Sequence, residues 1–436
     1  MKDLWGVLAR QRDYRLVLSA GLISLTGDWL LRTGLAFQVY ALTGSTLASG
    51  GLLLASFAPT VLLGSLAGVF VDRWDQRTTM IVTNILNVVV LLPLLAVRGA
   101  ETIWIVYGVV LAQACLQQFF QPAEQSLIPV LVEPKQLVTA NALNSQIRDL
   151  ARLIGAAIGG VLTAAGGLTL LAIADAATFL LAVALLSAVR HRTERIRAVV
   201  EAAGGAIRRL RAEWTDGLKL CVGGSGMRLL FVYCLVTGLG EGIMSTLFAP
   251  FVATELGGDG KAYGLIVSAQ AIGGIVGGLV AAGLGSRLPA ATMLGVGALF
   301  FGLIDLAMFC SPLVSDSLIP AFVCMILVGL PGAFSVAGLM TILQQLTLDG
   351  TRGRVFGAIG AAEGGTVLLG IAAAGLLGEV VGIIPLLIFQ GLGYVVGGVV
   401  ILSRRGLLAP RPESPDPLLA GPGAREPGRP DGRPSQ

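Results

Sequence analysis

Apolar runs of about 20 residues recur along nearly the whole chain, separated by short polar turns. No other feature limits the fold as strongly, because a run of that length crosses the hydrocarbon core of a bilayer as a helix. Inside a bilayer each backbone N–H and C=O must be paired within the protein, so helices and closed barrels are the available structures. The runs are unbroken where barrel strands would alternate, which selects helices. Only 13% of residues are charged, against about 25% in a soluble domain. The mean hydropathy is +0.82. The 436 residues accommodate about twelve spans with short loops. The expected fold class is an all-α polytopic membrane protein with 12 transmembrane helices.

The spans are placed near residues 16–42, 46–71, 78–97, 103–121, 150–165 and 168–189, then 229–253, 262–285, 290–310, 318–346, 355–378 and 382–403. Pro122 ends or kinks the fourth. Residues 190–226 are polar and basic and read as a linker on the inner side. Residues 404–436, rich in Pro, Gly and Arg, cannot form a core and read as a disordered inner tail. With both termini inside, Lys and Arg gather on the inner side. Arg98 and Lys261 are the exceptions in outer loops, and Arg32 lies within the first span. The chain also repeats: Gly50 aligns with Gly264, Gly64 with Gly278, Ala67 with Ala281 and Arg73 with Arg287. An even number of spans per repeat gives two parallel halves, residues 1–189 and 227–403, related by an axis along the membrane normal.

Several function classes drop out. The basic residues are dispersed over many loops, unlike a nucleic-acid surface. The five cysteines, Cys115, Cys221, Cys234, Cys310 and Cys324, show no metal-ligand spacing and read as small apolar residues; the single histidine, His191, lies in a basic loop. No metal or cofactor is expected. The glycine pairs of span 8 lie in an apolar run, so they read as packing glycines and not as a phosphate loop. No nucleophile–base pair appears, and no enzyme is expected. No cleavable signal is apparent before the first span.

The sharpest motif is GSLAGVFVDRWDQR, residues 64–77. Gly64 and Gly68 share one helical face and admit a second backbone; the apolar run then stops at Asp72-Arg73, Arg77 follows, and apolar sequence resumes. These five residues resemble the G-x-x-x-D-R-x-G-R-R loop between helices 2 and 3 of the major facilitator superfamily. Asp75 stands where that motif has its glycine, and Gln76 replaces its first late arginine. Twelve spans in two parallel repeats extend the likeness over nearly the whole chain. RDYRLVLSAGLISLTGDWLLRTGLAF, QSLIPVLVEPKQLVTANALNSQ, IADAATFLL and YGLIVSAQAIGGIVGGLVAAGLGSR resemble the bacterial enterobactin-exporter and macrolide-efflux branch. The resemblance implies two six-helix bundles in the bacterial inner membrane. It also implies proton-coupled export of a hydrophobic or amphipathic small molecule, and a chain functional as a monomer. It makes Gly64, Gly68, Asp72, Arg73 and Arg77 a cytoplasmic gate, with Glu124 and the Arg352–Arg354 turn as partners. Gly155, Gly159 and Gly160 match part of the antiporter motif, with Ala156 where proline is expected; they serve close helix packing.

Charges inside spans are costly and are functional candidates for that reason. Asp28 and Arg32 lie four apart on one face of span 1 and can pair. Glu241 in span 7 has no local basic partner and suits proton carriage; Glu363 in span 11 is similar. Asp175 in span 6 and Asp305 in span 9 read as packing or capping groups, because the family places those spans outside. Gln113, Gln117 and Gln121 share one face of span 4 and are expected to meet either a substrate or a neighbouring helix. Phe37, Phe120, Phe248 and Phe334 supply aromatic walls for a cavity. The expected partners are therefore a small-molecule substrate, protons and the lipid bilayer. Rival readings are a lysophospholipid or lipid transporter, a nutrient uptake system, and a membrane scaffold or sensor that does not transport.

Overall fold

A computed structural model describes residues 11–71, 74–133, 136–190, 215–284, 287–315, 317–347 and 351–408. The described residues are helical, without strands. Nine helical stretches among them are long and apolar enough to cross a membrane. In chain order the helices are α1 (Arg12–Thr43), α2 (Thr46–Val71), α3 (Gln76–Leu91), α4 (Ile103–Leu131) and α5 (Leu137–Ser187). There follow α6 (Ser225–Pro250), α7 (Gly260–Leu284), α8 (Ala290–Cys310), α9 (Ile319–Leu346), α10 (Arg352–Val381) and α11 (Ile383–Ser403).

Local chemistry sets the boundaries. α1 ends at Gly44, whose φ of 63° is a left-handed conformation that glycine adopts without a Cβ clash. Asp75 opens α3 by accepting a bond from the Thr78 N–H at 2.7 Å. Within α5, Gly167 breaks the helix with φ 56° and ψ −145°, dividing it into two limbs. A side chain there would also meet the Gln38 amide nitrogen at 2.8 Å. The two limbs correspond to expected spans 5 and 6, so α6–α11 correspond to spans 7–12.

Four boundaries differ from the sequence reading. α4 continues through Pro122 and Pro129 to Leu131, and α5 begins at Leu137, well before residue 150. A proline removes one N–H but neighbouring helices can cover the freed carbonyl. Phe120, Ala123, Leu127 and Ile128 bury the continued helix. Residues 215–223, read as linker, are helical, and Gly217 fits against Arg354 and Ala358 of α10. At the C-terminal end, Arg405–Leu408 form a short 3₁₀ turn with Leu408 buried. The rest of the linker (191–214) and of the tail (409–436) lies outside the described residues.

Helices of the first half pack chiefly on one another, led by α1 against α5; those of the second half do the same through α8, α9 and α11. Two seams join the halves, α2 with α10 and α5 with α7. Both are closed by glycine. A Cβ at Gly50 would stand 3.2 Å from the Gly375 Cα, and one at Gly160 would stand 2.8 Å from the Gly264 Cα. Gly50 and Gly264 are partners in the sequence repeat, so matching positions make matching contacts across the two seams. Thr46 Oγ1 donates to the Gly375 carbonyl at 3.1 Å, and Ser45 Oγ to Glu379 Oε1 at 2.7 Å. All these contacts lie near the turns at residues 44–45, 257–259 and 382. Towards the opposite, Arg-rich end, Gly274, Gly278 and Gly283 of α7 and Gly357, Gly360 and Gly364 of α10 have open space where a Cβ would project, among the described residues. Large apolar side chains such as Leu279, Leu369 and Trp104 are about two-thirds exposed on the outer wall, a surface suited to lipid.

Candidate functional site

A cavity of about 490 Å³ lies between the halves, within the range of small-molecule sites. Asp28 and Arg32 of α1, Gln113, Gln117 and Gln121 of α4, and Glu241 and Phe248 of α6 all line it. A single apolar stripe on each helix would have left these polar side chains facing lipid; burial between helices removes that cost. Arg152 of α5, Gln270 and Tyr263 of α7, Asp305 of α8 and Gln390 of α11 add to the polar lining. A second, wider cavity of about 1170 Å³ continues towards the Arg-rich end and shares Arg152, Gln270 and Phe301 with the first.

The first-half chemistry is densely bonded. Asp28 and Arg32 interact electrostatically but are not hydrogen-bonded to each other. Behind them Asp175, fully buried on the second limb of α5, feels both. Gln113 Nε2 donates to Asp175 Oδ2 at 3.5 Å, and Thr178 Oγ1 donates to its Oδ1 at 3.3 Å. Gly27 makes room for this cluster, since a Cβ there would overlap Thr178 Oγ1 and Asp175 Oδ1.

The second-half chemistry reaches across the seam. Glu241 is hydrogen-bonded to Ser245, and its electrostatic partner is Arg152 from the first half. The Arg152 guanidinium also donates from Nη2 to Gln270 Oε1 and lies 5.1 Å from the Trp29 ring centroid, a cation–π distance. Ser268 Oγ donates to the Leu153 carbonyl at 2.7 Å beside it. Arg152 thus ties α1, α5, α6 and α7 together. The sequence hides it: it stands at the inner edge of span 5, where a basic residue reads as a topology signal. Asp305, expected on an outer helix in a packing role, instead lines the cavity, with Oδ2 accepting from Gln390 Nε2 at 2.9 Å.

Other expected site residues lie elsewhere. Phe120 is buried among Val17, Met80, Leu127 and Leu186, away from the cavity. Phe37 packs its ring 6.0 Å from Tyr263 across the α1–α7 contact, and Phe334 on α9 is partly buried but does not line the cavity. Glu363 packs beside Gly238 of α6, also outside the lining. Gly155 and Gly159 fit against α1, and only Gly160 of the three meets the other half. Among the gate residues, Arg77 caps the end of α5, donating to the Leu186 carbonyl at 2.9 Å and to that of Ser187 at 2.6 Å. Asp72 and Arg73 lie outside the described residues, as do the surroundings of Gly64 and Gly68 within α2. Glu124, an expected gate partner, is buried in the first half with Arg148 at 3.9 Å.

Comparison with known proteins agrees with this architecture. Residues 5–413 match a major facilitator (MFS) family described as transmembrane secretion effector. The chain is 27% identical over 432 residues to the uncharacterized MFS-type transporter YfiS of Bacillus subtilis (strain 168), covering 91% of this chain and 96% of that one. It is 23% identical over 383 residues to the staphyloferrin A transporter of Staphylococcus aureus (strain NCTC 8325 / PS 47), covering 86% and 92%. Over 142 residues it is 24% identical to macrolide efflux protein A of Streptococcus pyogenes, covering 32% and 35%. Among solved structures it resembles a bacterial homologue of the iron transporter ferroportin in an inward-facing state. The TM-score is 0.72 and the identity 16%, over 90% of this chain and 98% of that one.

Proposed function

The chain belongs to the transmembrane secretion effector family of major facilitator transporters, and on that premise we propose that it is a proton-coupled exporter of a hydrophobic or amphipathic small molecule. It is a multi-pass membrane transporter and not an enzyme. The reading takes α5 as two spans, giving twelve helices in two six-helix bundles. Residues 1–189 and 227–403 rock about the cavity by alternating access, in a bacterial inner membrane, with both termini cytoplasmic and the monomer as the working unit. On that orientation the Arg-rich end is cytoplasmic, and the described conformation opens inward.

One observation carries the proposal. Acidic, basic and amide side chains from both halves converge on a single cavity whose glycine seams close at one end while α7 and α10 face open space at the other. In this reading, opening the closed end parts Arg152 from Glu241 and Gln270, so the charge on Glu241 can bias which end is open. The family's description as a secretion effector and a relative named for macrolide efflux favour export over uptake. The gate residues would hold the cytoplasmic ends together in the alternate state, with surface ion pairs weak enough to break each cycle.

The test is efflux of a fluorescent amphipathic dye from cells expressing the protein, with and without a protonophore. Efflux should require the gradient and fail in Glu241→Gln, with Asp28→Asn impaired as well. Gradient-independent efflux would overturn the proton coupling, and efflux unchanged in both variants would remove these residues from the mechanism.

A further inference from the structure

The charges lining the cavity pair off with one exception. Asp28 has Arg32, and Glu241 has Arg152. Asp305 is 2% exposed, and among the described residues its one hydrogen-bond donor is the neutral Gln390 amide, on Oδ2, with none on Oδ1. The groups acting on it are Gln390 of α11 and Glu241 of α6, and it acts in turn on Cys324 of α9 and Tyr394 of α11. None of these is a cation. A buried carboxylate in that position needs either a proton or a positive ligand. Asp175, the buried acid of the first half, differs: the Arg32 cation acts on it, each of its oxygens has a donor, and it does not line the cavity.

The surroundings fit an organic cation. Phe301 lies one helical turn before Asp305 on α8, so both project from the same face into the cavity. Its ring is fixed by Tyr394, with centroids 4.6 Å apart. Phe248, Tyr263, Met244 and Met325 line the same space. Aromatic faces attract a delocalised cation, and methionines adapt to varied apolar shapes.

From this geometry we propose that Asp305 is the binding site for the positive charge of an amphipathic organic cation, and that substrate and proton exclude each other there. The inference rests on the exporter reading and adds to it a substrate class and an exchange site. The exchange conserves charge: the carboxyl proton leaves to water as the cation arrives, and the site is neutral either way. Mutual exclusion at one carboxylate is what obligate exchange of proton for substrate requires.

Tetraphenylphosphonium and tetraphenylborate test it, because they share a shape and differ in sign. Their binding to the purified full-length protein is measured by equilibrium dialysis, with proton release followed in weak buffer. Tetraphenylphosphonium should bind in preference to tetraphenylborate and release protons. Asp305→Asn should weaken its binding by about tenfold or more and abolish the release, while Asp305→Glu restores part of both. Should Asp305→Asn fail to fold, Gln390→Leu keeps the acid and removes the donor that favours its ionised form. Tetraphenylphosphonium affinity should then drop more at acidic than at alkaline pH. Preference for tetraphenylborate, or proton release unchanged in Asp305→Asn, overturns the proposal and leaves the exporter reading intact. So does a failure of both probes to bind, since the dye-efflux experiment judges the exporter reading on its own.

Discussion

The two acidic sites of the cavity are built to different plans. In the first half Asp28, Arg32, Asp175, Gln113 and Thr178 all belong to the same half, and Asp175 is closed on both oxygens. In the second half Glu241 borrows its cation, Arg152, from across the seam, and Asp305 keeps one oxygen open. The first arrangement is indifferent to how the halves sit relative to each other. The second is not, because its charge pairing joins Arg152 of α5 to Glu241 of α6 across the two halves. On the proposed alternating-access reading, the first side is a fixed polar core and the second is the side whose electrostatics change with conformation.

The largest effect expected from this contrast is at Arg152. Arg152→Gln should reduce transport by about tenfold or more, since it leaves Glu241 buried without its cation and removes the bond to Gln270. Arg32→Gln, confined to one half, should cost less. Rates measured in the same vesicles decide it, and a larger loss for Arg32→Gln would break the comparison.

Next in size is Gly27→Ala, which drives a methyl into Thr178 and Asp175 and should destabilise the protein by roughly 1–3 kcal/mol. The second-half comparison is Gly240→Ala, whose methyl would sit 3.0 Å from Gln390 Cγ, the stem of a flexible side chain. That change should cost less than about 1 kcal/mol. Thermal unfolding of both variants in the same detergent is the measurement. Equal losses would mean that the first site is no more tightly packed than the second.

The smallest effect is expected at the amide donors. Gln113→Leu leaves Asp175 bonded to Thr178 and should cost about 1 kcal/mol of stability. Gln390→Leu strips Asp305 of its single donor and should cost more, up to roughly 3 kcal/mol. The same unfolding experiment ranks the two, and the reverse order would argue against an open oxygen on Asp305.

Much of this site was legible from residue type alone. Asp28, Arg32 and Glu241 stand out because a charge in an apolar run has few tolerable places, and all three reach the cavity. Gln113, Gln117 and Gln121 follow from helical spacing and reach it too. The phenylalanines were a weaker guide. Phe248 lines the cavity and Phe120 does not, because a phenylalanine is equally at home in lipid, core or cavity. Arg77 reads as a gate residue in the loop motif, yet its guanidinium caps the end of α5, a role that requires knowing where Leu186 and Ser187 end up.

Residue order alone makes this chain a helical membrane protein, sets which family it resembles, and shows which spans carry charge. Those properties follow from the cost of polar groups in hydrocarbon, paid residue by residue and independent of neighbours. The tertiary structure decided what each charge faces. Arg152 meets Glu241 and Gln270 only because the glycines at 160 and 264 let α5 and α7 come close, and Asp305 turns inward only because α8 packs between α9 and α11. Pairing of charges is a property of helix packing across long sequence separations, and spacing along one helix does not contain it.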